Sequence, residues 1–175
     1  MSFKAIKIRP IKTARLTLIP ADLGMLEYEI NRQKFPESLF GITFPKNWPH
    51  ESVSPEVSEI FLTLFRENRL YNYYWVLNEE SKKDILIGSG GFIVQDDGSF
   101  ELGYSVLKQF EGNGFASEAV GAIIKNAGDL KNNVSIAAKT NKENIASVRV
   151  LEKCGFSLSG FDSESDLLIY SLAKN

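Results

Sequence analysis

An extended apolar stretch, Glu101 to Leu107, runs through Gln109-Phe110-Glu111-Gly112-Asn113-Gly114-Phe115-Ala116 and opens directly into residues with helical periodicity. Strand, tight turn and helix must therefore follow one another within a few residues. The first amides of a helix lack partners and carry partial positive charge, so a glycine turn feeding one can ring a pyrophosphate with N–H groups. Gly112 and Gly114 supply positive φ and leave no Cβ in the way of a ligand. Other phosphate turns fit poorly. A dinucleotide fingerprint starting at Gly112 needs glycine where Ser117 stands, and no phosphate-loop G-x-x-x-x-G-K-S/T occurs in the chain. The bland reading is a plain glycine turn before an amphipathic helix.

With 175 residues and 43% hydrophobic content, the chain is expected to form a single domain over residues 1–175 with a real core. A net charge of −2 gives no global pull on nucleic acid, and Lys4, Lys7, Arg9 and Lys12 read as the solvated face of a strand. No apolar run approaches the ~20 residues of a membrane helix, and the N-terminus lacks a signal-peptide core, so a cytoplasmic location is expected. Cys154 has no intrachain partner and reads as a structural thiol, His50 as a loop or cap residue. No metal site is expected, and oligomeric state is left open.

Along the chain, Ile6 to Leu18 reads as extended, and a helix begins at Pro20-Ala21-Asp22 with a pattern that includes Leu23, Leu26 and Ile30. A second helix begins at Ser54-Pro55-Glu56 and carries Val57, Ile60, Phe61, Leu64 and Phe65 on one side. Tyr73 to Leu77, Ile85 to Val94 and Phe100 to Leu107 form an antiparallel meander. Ala116, Ala119, Val120, Ile123, Ile124 and Ala127 make the inward stripe of the helix after the turn. Val134 to Thr140 is a strand, Asn144 to Cys154 a helix closed by Gly155, and Phe156 to Gly160 and Leu167 to Leu172 are closing strands.

Gln109-x-x-Gly112-x-Gly114 resembles the coenzyme A turn of the GNAT family of N-acetyltransferases. Asn144-Ile145-Ala146-Ser147, followed by Glu152-Lys153-Cys154-Gly155-Phe156, is similar to that family's second signature. Thr13-Ala14-Arg15-Leu16-Thr17-Leu18 and Phe100-Glu101-Leu102-Gly103-Tyr104 resemble strands of its ribosomal-protein N-terminal acetyltransferase branch (RimJ/RimL-like). The resemblance implies a mixed α/β (α+β) fold: a mostly antiparallel central sheet flanked by helices and splayed between its fourth and fifth strands, where the cofactor lies.

It also implies an acetyl-CoA-dependent N-acetyltransferase that moves acetyl by direct transfer to a primary amine, either a protein N-terminus or a small molecule. Cofactor contacts are expected from Ser105, Val106, Leu107, Gln109, Phe110, Glu111, Gly112, Asn113, Gly114, Phe115, Ala116 and Asn144. Glu101 is the candidate base, with a cross-strand surface charge as its alternative. Many family members have a tyrosine acid where this chain has Leu151. Ser147, which resembles a serine of the ribosomal-protein branch, is the candidate donor to the departing sulfur, unless it bonds only to backbone. Trp48 and Tyr104 are the acceptor-side candidates. The absent tyrosine keeps open an inactive acyl-CoA-binding module, and a protein using the turn for other nucleotides is a more distant alternative.

Overall fold

The computed structural model describes residues 8–31, 41–78, 83–130 and 134–173. The readings made for Lys4, Ile6 and Lys7 lie outside those residues. One eight-stranded sheet runs β1 (Ile11–Lys12), β2 (Leu16–Pro20), β3 (Leu70–Leu77), β4 (Ile85–Val94), β5 (Phe100–Val106), β6 (Ile136–Thr140), β8 (Leu167–Leu172), β7 (Phe156–Asp162) in space. The helices are α1 (Leu23–Asn31), α2 (Pro55–Arg66), α3 (Phe115–Leu130) and α4 (Ile145–Lys153). All strand pairs are antiparallel except β5 with β6. The stretch read as one extended segment ending at Leu18 is instead a tight hairpin: Thr13 N–H donates to Leu16 O at 2.9 Å, and the chain reverses.

The expected splay falls on the one parallel pair. With Ile11–Lys12 counted as a strand of its own, that pair is the fifth and sixth strands rather than the fourth and fifth. Pairing covers Phe100, Leu102 and the residue between, opposite Ile136–Ala138, and then stops. Beyond it, Gly103–Val106 keep β4 on one side and, among the described residues, have no strand on the other.

Alternation along the meander divides the core in two. Tyr71, Tyr73, Trp75, Phe92, Phe100 and Leu102 face α3 and α4, where Ala119, Val120, Ile123, Ala127 and Leu151 are buried. Tyr74, Val76 and Leu86 face the other way, against Met25 of α1 and the segment carrying Ile42 and Trp48. The stripe read for α3 is the buried one. On α1, Leu26 is buried but Leu23 is 41% exposed, and on α2 Ile60 is 55% exposed, while Met25, Glu29 and Ser58 turn inward.

Gly90 and Gly91 make this packing possible. A Cβ on Gly91 would lie 1.9 Å from Tyr71 O, and one on Gly90 would lie 2.6 Å from Tyr104 Cβ and 2.8 Å from Trp75 Cζ2. A Cβ on Gly103 would meet nothing within 4 Å. We therefore expect Gly91→Ala to destabilise by about 3 kcal/mol or to prevent folding, as overpacking does. Gly103→Ala should leave the chemical denaturation midpoint nearly unchanged.

Candidate functional site

Backbone bonding fixes what β5 offers to the wedge. Phe100 N–H donates to Ser135 O on the β6 side and Leu107 N–H to Ile87 O on the β4 side, both at 2.8 Å. Polar groups alternate along an antiparallel ladder, so Ser105 directs its N–H to β4, whereas Tyr104 and Val106 point theirs into the space that β6 has vacated. The wedge holds a cavity of about 290 Å³ between Gly103, Tyr104, Lys139, Thr140, Asn144 and Ser147.

After β5 the chain makes one 3₁₀ turn, Lys108–Phe110, then passes through Gly112 and Gly114 at φ of 74° and 78° into α3. Among the described residues, the amides from Gly112 to Ser117 have no hydrogen-bond acceptor, and the first α3 bond to the turn is Glu118 N–H to Gly114 O. They border a larger cavity of about 890 Å³ that continues to Tyr104, Ser105 and Val106 on the strand and to Asn144, Ser147 and Val150 at and along α4.

The turn is held from outside by Glu118. Its Oε1 accepts from Thr13 Oγ1 at 2.6 Å and from Arg15 N–H at 2.8 Å, and its Oε2 accepts from Arg15 Nε at 2.7 Å. Arg15 also donates to Asn113 O at 3.0 Å and lies over the Phe115 ring. Burial alone would raise the Glu118 carboxyl, but the bonds from Thr13 and Arg15 outweigh it and hold its pKa below the usual value.

Most expected cofactor residues converge: Ser105, Val106, Phe110, Glu111, Gly112, Gly114, Phe115, Ala116 and Asn144 all line the large cavity. Asn113 folds its side chain onto the carbonyls of Phe110 and Glu111. Leu107, Gln109 and Asn113 are not among the cavity's lining residues. Leu107 has its N–H tied to β4 and its side chain buried on the α1 face, because the alternation that turns Val106 to the wedge turns Leu107 away. Gln109 exchanges two amide bonds with Asn47, at 3.0 and 3.2 Å, and so ties the turn to a neighbouring loop.

Asn144 caps α4 by accepting from Ser147 N–H at 3.0 Å. Ser147 Oγ lies 2.9 Å from the Tyr104 hydroxyl, which also sits 3.2 Å from Ser147 O. Tyr104 thus braces the inner wall of the wedge, and it also lines a smaller cavity on the α2 side of the sheet. Burial pushes its pKa up to about 12, against a smaller lowering by the Ser147 bond. Its ring stacks on Trp75 with centroids 6.3 Å apart.

Trp48 is core rather than lip: its Nε1 donates to the buried Glu29 at 3.1 Å, and its ring meets Tyr74 edge-on. Glu101 lines neither the large cavity nor the wedge, and accepts a bond of 3.4 Å from Gln95 Nε2. Cys154 is half-buried with Sγ 3.6 Å from Ser117 O, and burial raises its pKa.

Three lining features escaped the sequence reading. His50 reaches the cavity while its Nδ1 accepts from Ser52 N–H at 3.1 Å. Arg149 and Lys153, one helical turn apart on α4, put two cations on the wall. Their spacing of four was the available signal.

An acetyltransferase (GNAT) domain model matches residues 15–157. The chain is 32% identical over 136 residues to the uncharacterized N-acetyltransferase YoaA of Bacillus subtilis, covering 71% of this chain and 75% of that protein. A Vibrio cholerae spermidine N-acetyltransferase chimera superposes with a TM-score of 0.61 at 22% identity, over 91% of this chain and 95% of that one. RimL, a ribosomal alpha-N-protein acetyltransferase in complex with coenzyme A, does so with 0.62 at 18% identity, over 93% and 97%.

The Glu118 anchor makes a pH-dependent prediction. A carboxyl whose folded pKa is depressed stabilises the fold above its unfolded pKa, and that stability is lost as pH falls through the folded value. Glu118→Gln should lower Tm by a few degrees at pH 7, with the gap to wild type closing as pH falls below about 4.5. A gap unchanged at low pH would refute the charged role.

Proposed function

The chain belongs to the acetyltransferase (GNAT) family and is an N-acetyltransferase, and on that footing we propose that it moves acetyl from acetyl-CoA directly to a primary amine in the wedge between β5 and β6. The observation that carries this reading is the run of unpartnered amides from Gly112 to Ser117, set along the same cavity as the Tyr104–Ser147 pair. The cavity of about 890 Å³ is of the size that cofactors occupy, and its mouth combines helix-N-terminal amides with Arg149 and Lys153, the donor set a diphosphate calls for. These charges offset Glu111 and Glu152, which also line the cavity and whose carboxylates are free to turn to water.

Bound acetyl-CoA supplies a thioester whose carbonyl carbon takes the amine nitrogen while its C–S bond breaks. The residues of the chain orient the reactants and manage charge. Val106 N–H, facing the wedge, suits the oxygen on which charge develops. Ser147 Oγ–H donates to the leaving sulfur. Tyr104, with a pKa of about 12, keeps its proton across neutral pH and donates it to Ser147 Oγ, which leaves the serine hydrogen free to turn toward the sulfur. A thiolate of pKa near ~8.5 needs little further help.

Glu101 is a weak choice for the base, because it sits four residues up β5 from Ser105 and outside the cavity lining. An α-amino group, with a pKa of ~7.7 to 8.0, is already partly neutral at pH 7 and can lose its second proton to water. We favour an uncharged acceptor body over a polycation, because the groove on the α2 side of β5 is lined by no charged residue.

Three outcomes check this reading by thiol release and calorimetry. Tyr104→Phe should lower kcat about tenfold, which is about 1.4 kcal/mol of barrier, with coenzyme A affinity within twofold of wild type. Glu101→Gln should change kcat less than threefold. Arg149→Ala with Lys153→Ala should weaken coenzyme A at least tenfold and leave pantetheine, which lacks the diphosphate, unaffected. Tight coenzyme A binding with no turnover of any amine would favour an inactive acyl-CoA-binding module.

A further inference from the structure

A second, smaller cavity of about 130 Å³ lies on the α2 side of the sheet, walled by Val53, Val57 and Phe61 and floored by Gly91 and Gly103. It shares Ser52, Tyr104 and Ser105 with the large cavity, so the two open toward each other where the carbonyl would sit. None of its lining residues is charged. Asn72, only 8% exposed, borders it, and among the described residues no hydrogen bond is made by its side chain. Its amide atoms are not fully enclosed, so they open to the groove, and a ligand there can take the place of the water that meets them in the free protein. The glycine floor points the same way: a side chain at Gly103 would project into open space.

We infer that this groove seats the body of the acceptor amine, and that it selects a compact monoamine whose body is uncharged and bears one amide-like group for Asn72, as in an α-amino amide. The inference rests on the acetyl-transfer reading above. A polyamine would bring a second cation, and a free amino acid a carboxylate, into a groove with no counter-charge, and buried charge without a partner is strongly disfavoured. The apolar walls favour a branched aliphatic body of modest size. Asn72 can both donate and accept, so a carboxamide meets it with two complementary bonds.

The test uses acetyl-CoA with four amines: L-valinamide, L-valine, spermidine and 3-methylbutylamine, with kcat/KM read by thiol release. Valinamide should exceed valine and spermidine at least tenfold, and 3-methylbutylamine by a smaller factor. Asn72→Leu should abolish the advantage of valinamide over 3-methylbutylamine, mainly through KM. Gly103→Val should fill the groove, lowering kcat/KM for valinamide at least tenfold without altering coenzyme A affinity. Spermidine or valine matching valinamide, Asn72→Leu keeping the valinamide advantage, or Gly103→Val keeping wild-type kcat/KM for valinamide would overturn the inference. If no amine releases thiol, the transfer reading fails while the groove is still decided by calorimetry of N-acetyl-L-valinamide on the coenzyme A-loaded protein. Binding that Asn72→Leu weakens at least tenfold upholds the groove, and undetectable binding to wild type overturns it.

Discussion

The parting of β5 from β6 after three paired residues is the constraint on which the rest of the molecule depends. A sheet normally consumes the backbone donors of its central strands. Here two consecutive outward-facing positions, Tyr104 and Val106, are released in the middle of a folded domain, where water is partly excluded and a donor is worth more than at the surface. The same divergence places the N-terminus of α4 beside the gap, because α4 follows β6 through a short turn capped by Asn144. It also leaves the start of α3 at the mouth, because α3 follows β5. Two helix N-termini and a strand edge therefore converge without any long loop.

A gap of this kind must be kept from closing, and the side chains that do so form a continuous stack. Gly88 and Gly90 leave room on β4 for the Trp75 indole, against which Tyr104 lies. Tyr104 then reaches across the wedge to Ser147 on α4. The contact that props the wedge open is thus the contact we assign to chemistry. Trp75 Nε1 is buried with no hydrogen-bond partner among the described residues, a cost accepted for placing this ring under Tyr104.

The fold was legible wherever periodicity met a uniform environment. The α3 stripe from Ala116 to Ala127 packs on one sheet face, and its sequence pattern points there directly. The apolar pattern of α2 misleads at Ile60 because the helix packs along an arc centred nearer Ser58, a small residue that hydropathy does not mark as inward. The turn was legible through its two glycines, whose positive φ is what the pattern requires. Individual side chains were harder. Leu107 and Gln109 fall inside the right segment but point away from the cavity, since a segment motif carries no phase. Trp48 could not be told from a binding aromatic until its partner Glu29, 19 residues away, was seen beside it. Tyr104 and Ser147 each carried a role by themselves, but their pairing across 43 residues of sequence is visible only in three dimensions.

The two cavities differ in character, and the difference follows from which face of β5 each one uses. The wedge side offers unpartnered helix-N-terminal amides, with Arg149 and Lys153 balancing Glu111 and Glu152, and suits an anionic, amide-bearing ligand. The α2 side receives the odd-numbered positions of β5 and β4, of which Ser89, Gly91, Gly103 and Ser105 make a shallow floor of small residues and Ile93 its apolar edge, while Glu101, the next odd position on β5, lies outside the lining. An ammonium gains nothing there, so an amine entering from that side is favoured in its neutral form, which is the nucleophilic one. Desolvation on an apolar floor lowers an amine's pKa. A groove without a counter-ion can therefore supply part of what a general base would otherwise provide, and the distance of Glu101 from the site ceases to be a difficulty for the mechanism.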